Sequence, residues 1–595
     1  MIGLLADVVG RVSDQATTST TTIPVPCSIS SGGAKITSVC SDTNSLHISV
    51  AYRSILPVLV LVIGALALLA ISAVLPKRSR PGLYALLTVA IGGLALIASV
   101  WQWSDIGNIN AHVPAGAQAA LNYRLAHQLT IGQQVFYDRF SVLFMALVSV
   151  ATILGAMTTD SYLRREGLDG VEAYVLMLMA GTGAMLMAAS AGLIMLFLGL
   201  EIMSISLYVM AAYHRRRTQS GEAGLKYFVL GAFSSAIFLY GVALVYGATG
   251  STQFLEMANF LGANSLSHNG ILLAGMALLI VGLGFKVAAV PFHFWTPDVY
   301  QGSPTPFAGY MAAVAKAAGF AGLLRVLDMG LSTQQANWRP AIWLMAVLTL
   351  LVGSVMAIAQ RDLKRMLAYS SISQAGYVLV GLQAASSTGT AGALFYLFTY
   401  TFIIMGTFAI ISIIQGRGEA RNDLGAVRGL AKRRPLLAAV LLVFLLAQAG
   451  VPFTTGFLAK FYVIQAAVQS GQYVLAIIAM LSAAIAAFFY LRVALLMYGT
   501  EGEAVAGAPG VSGGAGVSGG AGAGDGSILA GLQPIPSLDG ATATATLLDP
   551  PAVDEKVRLP VAVALGICAA FTIAAGLSSP MIDFARHATT LFNLK

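Results

Sequence analysis

Apolar windows of about 20 residues recur along the whole chain, each long enough to cross a roughly 30 Å hydrocarbon layer, and this repetition restricts the fold more than any other feature. Fourteen are expected, over residues 55–75, 83–103, 136–158, 172–190, 192–213, 223–246, 270–294, 304–327, 341–359, 367–385, 390–415, 436–465, 472–498 and 559–577. The fourth and fifth nearly fuse. With 57% hydrophobic and only 10% charged residues and a mean hydropathy of +0.80, the predicted fold class is an all-α polytopic membrane protein.

Orientation follows from positive charge, because Lys and Arg are retained on the cytoplasmic side. Nineteen of the 33 basic residues fall in the odd-numbered connections: Lys77, Arg78 and Arg80; Arg164 and Arg165; Arg215 to Arg217; Arg361, Lys364 and Arg365; six between Arg417 and Arg434; and Lys556 with Arg558. Both termini are therefore expected outside. The net charge of +8 reads as a topology signal and not as nucleic-acid binding, which calls for a basic stripe on a soluble domain.

Four regions are expected. Residues 1–50 are an extracytoplasmic extension without a signal-peptide core. Cys27 and Cys40, separated by twelve residues on the oxidising side, can pair as a disulfide or remain two thiols. Residues 51–498 form the transmembrane core, 499–556 a flexible cytoplasmic linker rich in Gly, Ala, Ser and Pro, and 557–595 a last membrane helix with its tail. The linker contains Gly514, Gly516 and Gly519 in the spacing of a dinucleotide fingerprint, but without the strand and helix that give that spacing its chemistry, so the match is accidental. Cys568 lies in the last window and reads as a small core residue. Three cysteines fall short of the four ligands an iron–sulfur cluster normally requires. No cofactor or metal site is expected in this chain.

Glu201, Lys226, Lys286, Lys316 and Lys460 all lie inside apolar windows, where an ionisable side chain costs several kcal/mol unless it is paired or hydrated. Such residues are by default candidates for an ion or proton path. Two windows also hold a proline in mid-run, which removes a backbone hydrogen bond and breaks the helix. The strings are alike: Val290-Pro291-Phe292 follows Lys286, and Val451-Pro452-Phe453 precedes Lys460. They are the seventh and twelfth windows, five steps apart, so the two broken helices run in opposite directions, the pattern of two inverted five-helix repeats.

Three stretches carry a family resemblance: 199–204 (Gly-Leu-Glu-Ile-Met-Ser), 225–235 (Leu-Lys-Tyr-Phe-Val-Leu-Gly-Ala-Phe-Ser-Ser) and 291–306, which opens Pro-Phe-His-Phe-Trp-Thr-Pro-Asp-Val-Tyr. They resemble the antiporter-like membrane subunits of respiratory complex I, the proton-pumping NADH:quinone oxidoreductase, and within that family the subunit N branch. The resemblance spans residues 55–498 and leaves the N-terminal extension and the Gly-rich insert unexplained. It implies a proton-translocating subunit in a bacterial plasma membrane, beside other membrane subunits and a peripheral redox arm that holds FMN and iron–sulfur clusters.

On that footing Glu201 and Lys226 form an ion pair that responds to the next lysine, and Lys286 beside the first break is the central proton carrier. His293 adds a group that titrates near neutral pH. Lys316 passes the proton through water to Lys460, the exit group. Depth argues against one step. Counted from the 215–217 turn, Lys226 is about nine residues up its helix and Glu201 about fourteen, a mismatch near 7 Å at about 1.5 Å per residue. Either the lysine stem closes it or Lys226 is a snorkelling helix-end lysine. For Glu201 the plain alternative is a carboxylate satisfied by Ser204 or Ser206, and for His293 a local cap. Arg492 reads as a positive-inside anchor. The competing function is a subunit of a multi-subunit cation/proton antiporter, which needs the same hydrated charges.

Overall fold

Residues 51–74, 82–113, 123, 127–264, 269–419, 421–499, 557–577 and 580–589 are described in a computed structural model. The extension with Cys27 and Cys40, and the linker with its glycine fingerprint, lie outside the described residues. Nineteen α-helices organise the rest. They are α1 (Leu56–Val74), α2 (Leu83–Ala111), α3 (Arg139–Glu166), α4 (Glu172–Ala189), α5 (Leu193–Ala211), α6 (Thr218–Thr249), α7 (Phe254–Ala263), α8 (Gly270–Lys286), α9 (Trp295–Gly302) and α10 (Thr305–Leu324). After them come α11 (Gln335–Ile358), α12 (Leu363–Gln383), α13 (Ser387–Ile414), α14 (Leu430–Arg433), α15 (Pro435–Ala449), α16 (Thr455–Gln469), α17 (Tyr473–Tyr498), α18 (Leu559–Leu577) and α19 (Pro580–Ala588). A two-stranded antiparallel hairpin, Leu129–Thr130 with Val135–Phe136, precedes α3.

Among the described residues, eleven helices are long and apolar enough to cross a membrane, and α8 and α15 are shorter apolar helices. Each expected window overlaps one helix, except that the twelfth takes in the broken pair α15–α16; the seventh holds α8 and the break after it, and α9 begins just beyond its end. The nearly fused windows are separate helices because Ser190 turns extended after α4 and Gly192, also extended, opens α5. Helix α3 runs well past the expected 158, because Thr159, Asp160 and Tyr162 are buried. It stops at Gly167, whose left-handed backbone (φ 62°) caps it. Four short helices, α7, α9, α14 and α19, lie outside the windows, since none is long enough to register as one.

Both breaks depart from the simple proline kink. Helix α8 already ends at Lys286, five residues before Pro291, and Ala288 takes a left-handed conformation (φ 60°). Helix α15 ends at Ala449 with Gly450 left-handed (φ 88°), and Thr454 accepts a hydrogen bond from Phe457 N at 3.4 Å to start α16. A Cβ at Gly450 would also press on the Lys460 stem, meeting its Cδ at 2.9 Å. Helix α10 occupies the middle of the core, packed by α3, α4, α8 and α13, with every residue buried.

Candidate functional site: three buried lysines over tyrosine rings

Lys286, Lys316 and Lys460 are 2%, 2% and 5% exposed. Each ammonium faces aromatic rings, a partial substitute for water. Lys286 Nζ is 5.3 Å from the Tyr208 ring centre and 5.6 Å from that of Tyr227, Lys316 Nζ is 5.9 Å from Tyr400, and Lys460 Nζ is 4.9 Å from Tyr377.

The surroundings of the three differ. Lys286 is the last residue of α8 and makes no hydrogen bond to a protein acceptor among the described residues. The hydroxyls of Tyr208 and Tyr227 and one oxygen of Glu201 are buried without a partner, and the charge of Glu201 reaches both Lys286 and Tyr208. Trp295 closes this box: its Nε1 donates to Phe285 O at 2.9 Å and its ring stacks on Tyr227 at 4.5 Å. Lys316, in mid-α10, donates to the hydroxyl and the carbonyl of Ser371, and Tyr400 OH donates to the same Ser371 hydroxyl at 2.7 Å. Lys460 donates to Gln448 O at 2.8 Å and Ala449 O at 2.9 Å, the carbonyls left open where α15 stops. Around it, Gln374 Nε2 donates to Gln448 O at 3.2 Å and to Tyr490 OH at 3.0 Å, Tyr490 bonds Ser370, and Gln448 Nε2 donates to Thr407 at 3.0 Å. Ser370 and Ser371 are consecutive, so α12 carries side chains into both lysine environments.

The expected Glu201–Lys226 ion pair is not formed. Lys226 is 42% exposed and pairs with Glu222 at 2.7 Å and Asp298 at 2.8 Å, while Arg365 holds Asp298 at 2.6 Å. These residues line a cavity of about 480 Å³ together with Gln301 and Asp362. The depth mismatch is the physical reason: Lys226 stays near the basic end of α6, whereas the charge of Glu201 acts on Lys286. Nor do the serines satisfy Glu201, since Ser204 and Ser206 both bond their own helix carbonyls, Leu200 O and Ile202 O. His293 is buried in the first break with its ring 4.8 Å from Phe294 and Nδ1 unpartnered, and it is not bonded to Lys286. Arg492 donates to Ile358 O at 3.2 Å, and Cys568 is a free, buried core residue. Sequence reading missed Asp298, Arg365, Ser371, Gln374, Gln448 and the tyrosines. Uncharged residues in apolar windows give no warning of what they face, whereas Asp298 lay within a motif already singled out.

Among known proteins, the model of the family described as NADH:quinone oxidoreductase/Mrp antiporter, TM, matches residues 190–486. NADH-quinone oxidoreductase subunit N of Trichlorobacter lovleyi is 41% identical over 449 residues, covering 76% of this chain and 88% of that one. The chain belongs to the subunit N family. A solved chain of respiratory complex I from Thermus thermophilus with bound aureothin is 34% identical, with a TM-score of 0.60 over 75% of this chain and 91% of its own. The Mrp complex from Dietzia sp. shares the family's antiporter-like fold at 21% identity, with a TM-score of 0.72 over 91% and 98% of the two chains. The described residues hold no group of three or more His, Cys, Asp or Glu that could ligate a metal.

Proposed function

We propose that this chain is a proton-translocating membrane subunit of NADH-quinone oxidoreductase, driven by electron transfer on partner subunits, which would hold the flavin and iron–sulfur centres. One observation carries the reading: three lysines are buried in the membrane-spanning core without a salt bridge among the described residues. A buried ammonium is expensive and titrates readily, and nothing in a purely structural role repays three of them.

In this reading the basic connections face the cytoplasm and both termini lie outside. The cavity at Lys226 and Asp298 collects protons, and Lys226 acts at this mouth. Lys286 carries the proton inward. Its unpartnered neighbours, Glu201 and the hydroxyls of Tyr208 and Tyr227, suit bound water, which occupies buried polar sites with several partners to offer. From Lys316 the charge passes along the polar side of α12 to Lys460. His293 sits beside the first break as a second titrating group.

The test is redox-driven proton uptake by the assembled complex in sealed vesicles. Lys286→Ala should cut protons moved per NADH by more than tenfold, and Lys286→Arg should not restore it, because a guanidinium does not release its proton at accessible pH. Parental uptake in both variants would remove Lys286 from the path. Co-purification of the chain with flavin and iron–sulfur subunits separates this reading from a cation/proton antiporter.

A further inference from the structure

Outside the lysine sites, Glu419, five residues beyond the end of α13, is a carboxylate that gathers donors from several helices. Its side chain is wholly buried. One oxygen, Oε1, accepts from Thr305 N and from the Thr305 hydroxyl, both at 2.9 Å. The other, Oε2, accepts from Lys364 Nζ at 2.8 Å and Arg217 Nη1 at 2.6 Å. Lys364 in turn donates to Ser303 O at 2.6 Å, and the single Thr305 hydroxyl proton is shared between Glu419 Oε1 and Gln415 Oε1, the latter at 2.5 Å. To present its side chain this way Glu419 takes a left-handed backbone (φ 52°) beside two left-handed glycines, Gly416 and Gly418. A non-glycine residue held there is strained and persists only where the surroundings over-determine it.

Those four donors belong to the starts of three helices. Thr305 opens α10, Lys364 is the second residue of α12, and Arg217 precedes α6. The chain itself ties Glu419 to the end of α13. Three of the four helices so joined carry the three members of one contact deep in the core: Lys316 on α10, Ser371 on α12 and Tyr400 on α13.

Distances along the helices agree with a closed frame. Lys316 lies eleven residues above Thr305 and Ser371 seven above Lys364, or about 16 Å and 10 Å at 1.5 Å per residue. Both helices start at Glu419 and run the same way, so Lys316 begins about 6 Å above its partner. Helical side chains lean toward the N-terminus, and the four-carbon lysine stem reaches back across that gap. A shift of either helix start would carry straight to this contact. Burial alone would raise the Glu419 carboxyl, but Lys364 and Arg217 hold it down at about 2, so it remains charged throughout the working range.

We propose that Glu419 is a positioning residue for proton transfer through Lys316, fixing the starts of α10 and α12 so that Lys316 stays in register with Ser371 and Tyr400. The proposal rests on the relay reading above.

It is tested with the full complex in sealed vesicles, measuring protons moved per NADH at equal amounts of assembled chain. Glu419→Gln should lower the ratio at least twofold, and Thr305→Val, a milder change that keeps the backbone donor, should lower it less. Ser371→Ala combined with Glu419→Gln should lose no more than the worse single variant, because both act through one contact. Parental ratios in the Glu419 and Thr305 variants, or additive losses in the double variant, would overturn the proposal. If Glu419→Gln does not assemble, Thr305→Val alone decides, a parental ratio counting against. Lys316→Ala is the control arm: a parental ratio there defeats the relay reading, whereas a low ratio there with normal Glu419 variants defeats only this inference.

Discussion

The two broken helices share a Val-Pro-Phe string and a lysine, yet they solvate that lysine in opposite ways. Lys286 ends the helix before its break and meets ring faces and unpartnered oxygens. Lys460 lies in the helix after its break and turns back onto the last carbonyls of α15, where the negative end of the helix dipole favours a cation. The same sequence device therefore makes one poorly solvated ammonium and one well-solvated ammonium. What decides is the side of the break on which the lysine stands.

Removing the charges should break this symmetry most visibly. Lys460→Met takes the lysine donor from the Ala449 carbonyl and leaves Gln448 O with Gln374, and is expected to cost about 1–3 kcal/mol, lowering the midpoint of thermal dissociation of the assembled complex. Lys286→Met with Glu201→Gln removes a buried charge and its facing carboxylate together, and is expected to leave that midpoint unchanged or raise it. Equal losses at both sites would end the distinction.

Hydroxyl deletions sharpen the contrast at a smaller scale. Tyr490→Phe removes bonds to Ser370 and Gln374 and should cost about 1 kcal/mol. Tyr227→Phe removes a hydroxyl with no protein partner and should stay within about 0.5 kcal/mol by the same thermal measurement, typical of changes that break no bond. The least effect is expected from pH at Glu419. Its carboxyl is depressed from 4.5 to about 2, so its contribution is complete above about 4.5 and is lost only as pH falls toward 2. Thermal midpoints of the parent and Glu419→Gln should therefore differ by a constant amount between pH 6 and 8, and converge in acid.

The helices were legible in the sequence because lipid leaves the backbone few alternatives, and the windows overlap all eleven helices long and apolar enough to cross a membrane among the described residues. The buried lysines were legible for a related reason: a charge in an apolar run stands out by its cost. Pairing was not. Glu201 and Lys226 lie on consecutive helices, and only their depths showed that they would miss; the partner Asp298 lies 72 residues on. Glu419 gave no signal at all, since a glutamate in a basic, Gly-rich connection reads as a solvated loop residue until the left-handed turn drives it inward. The tyrosines under the lysines were hidden among 21 in the chain.

Helix α10 has a further consequence, for how the protein is made. Its best window has a mean hydropathy of 1.4, against 2.9 for the first span, and all of that window is buried inside the protein. It offers no surface to lipid, and it carries Lys316 at its middle. A bilayer by itself is a poor home for such a segment. The segment becomes acceptable only when α3, α4, α8 and α13 stand around it, and α13 is synthesised after it. Biogenesis of this chain therefore has to hold a reluctant helix at the membrane until a later one arrives, and the centre of the finished protein is among the last parts to settle into place.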